Sequence, residues 1–486
     1  MTRYLCISVT FLDPMFHGRG DGAAPEWPPS PLRLFQALLA GSRTGCHNRH
    51  WSEDSAEAFR WLERRNPPVI IAPAARLAAA CRFFVPNNDG DAKDKFDRQE
   101  RLTEKVAHPH CLYGGDMLHY LWPLDQNHDP ASQMHAEFLC GEARRLLALG
   151  WGIDQVVGNG RIVDDAALAA LPGQRWRAWA GYRPGQQQWR TPAEGSLDDL
   201  TTVYESFLRR VHGRKYHPPL QLREFNTTAY IPAAAVPPRS CAIFELPEGV
   251  AFCQVDATKV AAMLRSLACR CAKADTHEFR VDGQAIDSEV YVAGHVNGAR
   301  RTPPRFSYLP LPTIGHEHAD GMIRRALIAE PFGGDGVHAR WAQNRLRNAS
   351  LTDKDGNERG ILLDPWRPGS VTVIERYLHE ARTWSTVTPV ILPGFDDGKY
   401  AKAQKLLLTA ALQADLPVDA IEEFTVRKAP FWPGSQHPSQ YHVPAYLKNF
   451  ARWHVRLLFR EPVAGPLALG AGRHCGLGLF ASVESS

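Results

Sequence analysis

Arg473 and His474 stand inside a run of glycines, Gly470, Gly472, Gly476 and Gly478, near the C-terminus of this 486-residue chain. Glycine weakens strand and helix interiors, so such a cluster needs a physical reason. One reason is close approach of the backbone to a phosphate chain, with bare N–H groups forming a concavity and Arg473 adding charge. A tight hairpin at the end of a sheet accounts for the same residues. The segment is not a Walker A loop, because no Gly-Lys-Ser/Thr follows, and no helix-forming stretch follows it as a dinucleotide fingerprint requires.

The second half also holds histidines beside cations. His295 lies in Gly294-His295-Val296-Asn297-Gly298, after a strand-like Val290-Tyr291-Val292 and just before Arg300 and Arg301. An imidazole on an exposed turn beside guanidiniums is a candidate base, and a surface histidine without a role is the competing reading. His316 and His318 flank Glu317, so both imidazoles point the same way in an extended segment. A third and fourth metal ligand are not evident and the spacing is not that of a zinc protease, so no metal site and no cofactor is expected. Loop histidines bonding backbone explain the pair equally. Tyr308 joins His295, His318 and His316 as the candidate catalytic set, whereas His474 reads as a phosphate contact rather than a base. Lys399, Lys402 and Lys405 recur every third residue on a helix that Asp397 could cap, placing ammonium groups on one side for phosphate or for solvent.

These residues need elements to position them. Residues 4–11 read as an opening strand, followed by the turn Phe16-His17-Gly18-Arg19-Gly20-Asp21-Gly22. Ser30 and Pro31 then start a helix whose buried face is Leu32, Phe35, Leu38 and Leu39. Residues 87–101 are polar and read as a mobile loop, and residues 152–160 as a second turn-rich passage. The Pro/Ala-rich residues 231–238 look like a linker. After it, residues 242–246 read as a strand and Asp256 can cap a helix through Val260, Met263, Leu264, Leu267 and Ala268. A strand-then-helix start in both halves suggests α+β domains at 1–236 and 237–486. Residues 453–460 alternate, with Trp453, Val455, Leu457 and Phe459 toward a core and His454, Arg456 and Arg460 on the other face.

Composition bounds the rest. A chain of this length needs two or three domains, and 44% hydrophobic with 22% charged residues describes a globular protein. There is no apolar run of membrane-spanning length and no signal-peptide pattern at residues 1–6, so a cytoplasmic protein is expected. Ten cysteines without a Cys-x-x-Cys read as reduced, mostly buried thiols. Net charge is only +4, but residues 295–350 carry eight arginines against four acids. Arginine is the better bidentate phosphate ligand, so the basic excess of the second half points to anionic partners.

Three passages together carry a resemblance: Trp-Pro-Pro-Ser-Pro-Leu-Arg-Leu-Phe-Gln-Ala-Leu from Trp27, Tyr308-Leu309-Pro310-Leu311-Pro312 with Gly315-His316-Glu317-His318-Ala319-Asp320-Gly321, and the terminal Gly-Ala-Gly-Arg-His-Cys-Gly-Leu-Gly-Leu-Phe. In that order they resemble the CRISPR-associated RAMP superfamily. More narrowly, the chain is similar to the type I-G (formerly I-U) fusion of the subunit capping the 5′ handle of the guide RNA with the endoribonuclease that processes the repeat. The resemblance implies an α+β fold of tandem ferredoxin-like (RRM-like) domains with a C-terminal glycine-rich loop on RNA. It gives 1–236 the handle-capping role and 237–486 the repeat-processing role. It implies metal-independent cleavage of precursor CRISPR RNA, retention of the product in a type I effector complex with backbone and large subunits, and indirect contact with target DNA. Its RNA contacts would be Arg473, His474, the loop glycines, Arg300, Arg301 and the three lysines. Where relatives place a histidine just before the Leu-Pro-Leu-Pro run, this chain has Phe306. Such cleavage needs a base for the ribose 2′-hydroxyl, charge for the phosphorane and a proton for the leaving oxygen, and leaves a 2′,3′-cyclic phosphate and a 5′-hydroxyl. A non-catalytic subunit capping the guide is the alternative. A metal-dependent nuclease lacks clustered carboxylates at ligand spacing.

Overall fold

The computed structural model describes residues 2–20, 24–86, 102–124, 129–212, 215–233, 236–294, 303–316, 318–365, 367–416 and 418–483. His295, Arg300, Arg301 and the polar stretch 87–101 lie outside these residues. The chain is mixed α+β and divides into two compact units. One comprises residues 1–179 and 187–234, the other residues 180–186 and 235–486.

The first unit is built on a seven-stranded antiparallel sheet. Its strands are β1 (Arg3–Phe11), β2 (Val69–Ala72), β3 (Met117–Pro123), β4 (Val156–Asp164), β5 (Gln174–Trp179), β6 (Trp189–Pro192) and β7 (Phe225–Pro232). The order across the sheet is β6-β7-β5-β2-β3-β1-β4. Alternation along β1 sends Leu5, Ile7, Val9 and Phe11 into the main core and Cys6 to the opposite face. Three helices pack their apolar faces into that core: α1 (Pro31–Arg43), α2 (Glu53–Glu63) and α3 (Pro130–Ala143). Ser30 stands at the N-cap of α1 and Pro31 opens it, as the sequence signals require, with Leu32, Phe35, Leu38 and Leu39 buried. Residues 156–160 continue as strand rather than turn. Gly158 and Gly160 permit this, because a Cβ at either would meet the backbone of α3 at 2.1 and 2.3 Å.

Besides short two-stranded ribbons, the second unit holds two larger sheets. The smaller contains β8 (Cys241–Glu245), β9 (Ser307–Pro312) and β10 (Ile323–Ala329) in the order β8-β10-β9, and Leu363 bridges Glu245 on the outer edge of β8. Helices α4 (Ala257–Lys273) and α5 (Val337–Leu346) pack against it through Val260, Leu264, Leu267, Trp341 and Leu346. The larger contains β11 (Glu380–Thr386), β12 (Val390–Ile391), β13 (Ile421–Arg427), β14 (Arg452–Ala464) and β15 (Phe480–Ser482). There β14 pairs with β11, β12 and β13, and β15 closes the other edge of β11. Helix α6 (Tyr400–Leu412) covers it through Ala403, Leu407 and Ala411.

Several sequence expectations are corrected here. His454 is buried, not outward: its ring bonds Thr386 Oγ1 at 3.1 Å and the Gln436 carbonyl at 3.0 Å. Residues 431–441 cover that face of β14, which a period-two pattern cannot reveal. Burial pushes the imidazole pKa down to about 4. Asp397 does not cap α6. It sits at positive φ and pairs with Lys402 at 2.6 Å, while Lys399 occupies the N-cap. Of the ten unpaired cysteines, Cys6, Cys140 and Cys241 are buried, whereas Cys46 and Cys253 are exposed.

Candidate anion-binding cleft

Residues 470–478 run beside the free edge of β9, where Tyr308 and Cys475 form a parallel bridge. Five of the nine N–H groups of this loop donate to carbonyls: Ala471 to Ile391, Arg473 to Gly470, Cys475 and Leu477 to Gly472, Gly478 to Pro389. Its glycines answer to the chain's own backbone. Gly476 (φ +86°) faces the Ala257 carbonyl, and Gly478 (φ +71°) the Leu469 carbonyl, so a Cβ would lie 2.8 and 1.9 Å from those oxygens. The tight turn, one of the two readings of this glycine cluster, accounts for both positions. The cations the turn offers an anion come from side chains.

Those side chains line a cleft of about 700 Å³ with Arg239, Arg305, Ser307, Arg473 and His474 on its wall, together with Asp282 and Asp415. Arg239 precedes β8 and is buried; its Nε donates to the Glu330 carbonyl and its Nη2 to Ser307 Oγ, both at 2.9 Å. Arg305 donates from Nη1 to the Gly294 carbonyl at 3.0 Å, and its buried Nε has no partner. Arg473 donates to the carbonyls of Gly470 and Gln413 at 3.2 and 2.8 Å. Burial pushes the pKa of Arg239 and of Arg473 down to about 10, with Arg305 adding to the effect on Arg473. Both stay charged at neutral pH. Among the described residues none of the three guanidiniums has an ion-pair partner, although desolvated charge is costly unless paired.

His474 sits among them. Its Nδ1 lies 3.1 Å from both the Phe306 carbonyl and Ser307 Oγ. Because a carbonyl only accepts, the bond to Phe306 assigns the ring proton to Nδ1. Nε2 is then the unprotonated nitrogen, buried and without a partner. Burial first, then the neighbouring Arg473, Arg305 and Arg239, hold this imidazole well below its ordinary pKa, so it is neutral at pH 7.

The structure distributes the other sequence candidates differently. Tyr308 is buried on β9, its hydroxyl donating to the Val292 carbonyl at 2.9 Å, with burial driving its pKa far up. His316 and His318 are exposed on the turn between β9 and β10 and do not line the cleft. Lys399, Lys402 and Lys405 are exposed at the start of α6. Phe306 lies in an aromatic cluster with Phe279, Tyr291 and Trp341. Sequence reasoning missed Arg239 and Ser307. Arg239 follows the Pro-rich join, and no local pattern marks it, because strand pairing alone brings it to Ser307. Among the described residues no cluster of His, Cys, Asp and Glu could hold a metal ion, and no helix is long and apolar enough to cross a membrane.

The sequence model of a family described as "CRISPR-associated protein, GSU0054 family" matches residues 4–482. No curated protein matches the chain. Among solved structures, the crystal structure of a CRISPR protein from Archaeoglobus fulgidus is 11% identical, over 39% of this chain and 69% of that one, with a TM-score of 0.17. A likeness that slight carries no structural argument.

Proposed function

The chain belongs to the GSU0054 family of CRISPR-associated proteins, and from that premise we propose that it cuts precursor CRISPR RNA within the repeats. In this reading it is the type I-G fusion and stays with its product as a subunit of the effector complex. Residues 1–236 cap the 5′ handle and 237–486 cut. The strand orders support tandem ferredoxin-like domains: β2-β3-β1-β4, β9-β10-β8 with Leu363, and β13-β14-β11-β15 each read second, third, first, fourth in chain order.

The observation that carries the proposal is the set of unpaired guanidiniums around an imidazole whose Nε2 is both unprotonated and unpartnered. A phosphodiester supplies the missing negative charge, and a ribose 2′-hydroxyl the missing hydrogen-bond donor. Nε2 accepts the hydroxyl proton and the oxygen attacks the adjacent phosphorus. The bond to the 5′-oxygen then breaks, while Arg305 and Arg473 face the charge that builds on the phosphorane. The leaving oxygen needs a proton, and His295, joined directly to Gly294, is the proposed donor. Nε2 is shielded by surrounding protein, so the rim must yield when RNA seats. His316, His318, Lys399 and Lys405 serve in this reading as outlying RNA contacts. The non-catalytic capping subunit stays as the second reading, favoured by the low basicity of so buried an imidazole.

End-labelled repeat RNA incubated with the purified protein, with and without EDTA, tests the proposal. Cleavage in both, leaving a 2′,3′-cyclic phosphate and a 5′-hydroxyl, supports it. Binding without cleavage supports the capping subunit, and a 5′-phosphate product or loss with EDTA overturns the chemistry.

A further inference from the structure

Two glycine-bearing passages of the first unit, far apart in sequence, meet at a histidine–aspartate pair. His17 Nδ1 lies 2.7 Å from Asp154 Oδ1, with the His17 and Asp154 side chains 9% and 0% exposed. The same oxygen accepts from the His17 backbone N–H at 3.1 Å, and Oδ2 accepts from the Trp151 N–H at 2.7 Å. Gly150 makes room for this carboxylate, since a Cβ there would lie 2.4 Å from Oδ2. The carboxylate takes three hydrogen bonds and holds the ring with an Nδ1 proton turned inward, so Nε2 is the nitrogen by which the neutral ring accepts.

Two aromatic rings and a guanidinium surround the pair. The His17 ring stacks on Trp151 at 6.3 Å and meets the edge of Phe83 at 5.3 Å. The Arg19 guanidinium lies 4.9 Å from the Trp151 ring centre, and its Nη2 is buried without a hydrogen-bond partner. Aromatic faces suit a base or ribose, and an unpartnered guanidinium nitrogen suits a phosphate oxygen. Among the described residues Arg19 forms no ion pair, and Asp154 is the carboxylate that holds His17.

We infer that His17, Asp154, Arg19 and Trp151 form a second ribonucleotide site, in which Nε2 of His17 accepts a hydrogen bond from a ribose 2′-hydroxyl and Arg19 holds the adjoining phosphate. The inference rests on RNA being the ligand, as in the proposed function. Its consequence is discrimination of RNA from DNA, because only the 2′-hydroxyl can make that bond.

The test compares binding of a repeat RNA strand and the DNA strand of equal sequence, on the full chain carrying His474→Gln so that the RNA stays intact. A further His17→Ala change should narrow the RNA-over-DNA preference by about three- to tenfold, the worth of one neutral hydrogen bond. Arg19→Ala should weaken both strands alike and lower the salt dependence by about one counterion. Should the His17 variant fail to fold, diethyl pyrocarbonate labelling of the otherwise unaltered chain decides: RNA should protect His17 and DNA should not. An unchanged preference, equal labelling of His17 with both strands, or an Arg19 variant that binds like the parent overturns the inference. Discrimination through His17 in a chain that never cuts RNA would sink the nuclease reading alone.

Discussion

His474 owes its state to two opposed demands. The Phe306 carbonyl fixes its proton on Nδ1, while burial and three nearby guanidiniums resist a second proton. If Nε2 is the base, His474→Gln should slow single-turnover cleavage by ~10²–10⁴-fold and leave RNA affinity within a few-fold of the parent. The pH profile carries the sign of the shift. A base whose pKa is depressed stays neutral to lower pH, so the acid limb of kcat/KM should fall below the usual imidazole value near 6.5. An acid limb at or above that value, or a fully active Gln variant, removes His474 from the chemistry. The sequence offered His474 only as a phosphate contact, since nothing local tells which ring nitrogen is bonded. The partners come from β9, more than a hundred and sixty residues away in the chain.

At the scale of elements, the C-terminal turn and the start of α5 separate packing from function. Gly478→Ala puts a Cβ onto the Leu469 carbonyl at positive φ and should cost roughly 1–3 kcal/mol of stability or more, read as a lower denaturation midpoint. Weakened RNA binding with unchanged stability would restore the phosphate reading of the glycines. Glu330 closes β10 and accepts from the backbone N–H groups of Gly336 and Ala339, at 3.2 and 2.5 Å, where α5 begins. Burial pushes its carboxyl up to about 7 from an ordinary 4.5. A raised pKa contributes stability that is whole below 4.5 and is lost as pH rises through 7, worth roughly 3 kcal/mol across that window. Denaturant titrations from pH 4.5 to 8 should therefore show the parent falling relative to Glu330→Gln by about that amount, and parallel curves would refute it. The helix starts at Pro31 and after Asp256 were legible because caps and apolar spacing are local signals. The fate of His454 was not, because the cover over β14 comes from a segment without regular periodicity.

For the whole molecule, the join between halves is not a single point in the chain. The Pro/Ala-rich stretch was readable from composition, and the break between units falls inside it, at 234–235. Residues 180–186 nevertheless belong to the second unit. The Tyr182 carbonyl accepts from the Cys241 N–H at 2.9 Å, and the Tyr182 N–H donates to Ser240 Oγ at 3.1 Å. Arg183 is bonded to the carbonyls of Arg239, Leu378 and Gly465, and Arg340 lies over the Tyr182 ring at 5.0 Å. A tethered strap of this kind leaves no sequence signature, since its partners are backbone carbonyls. A cut at 236/237 removes the strap from the unit it completes and takes these partners from those carbonyls and from the Cys241 N–H, each buried group left unsatisfied costing about 1–3 kcal/mol. Residues 237–486 alone should therefore be poorly soluble or melt well below the full chain. Coexpression with residues 1–236, or addition of a peptide spanning 178–188, should raise the melting temperature, and a peptide with Arg183→Ala should raise it less. A fragment 237–486 as stable as the intact chain would show that residues 180–186 add nothing to the second unit.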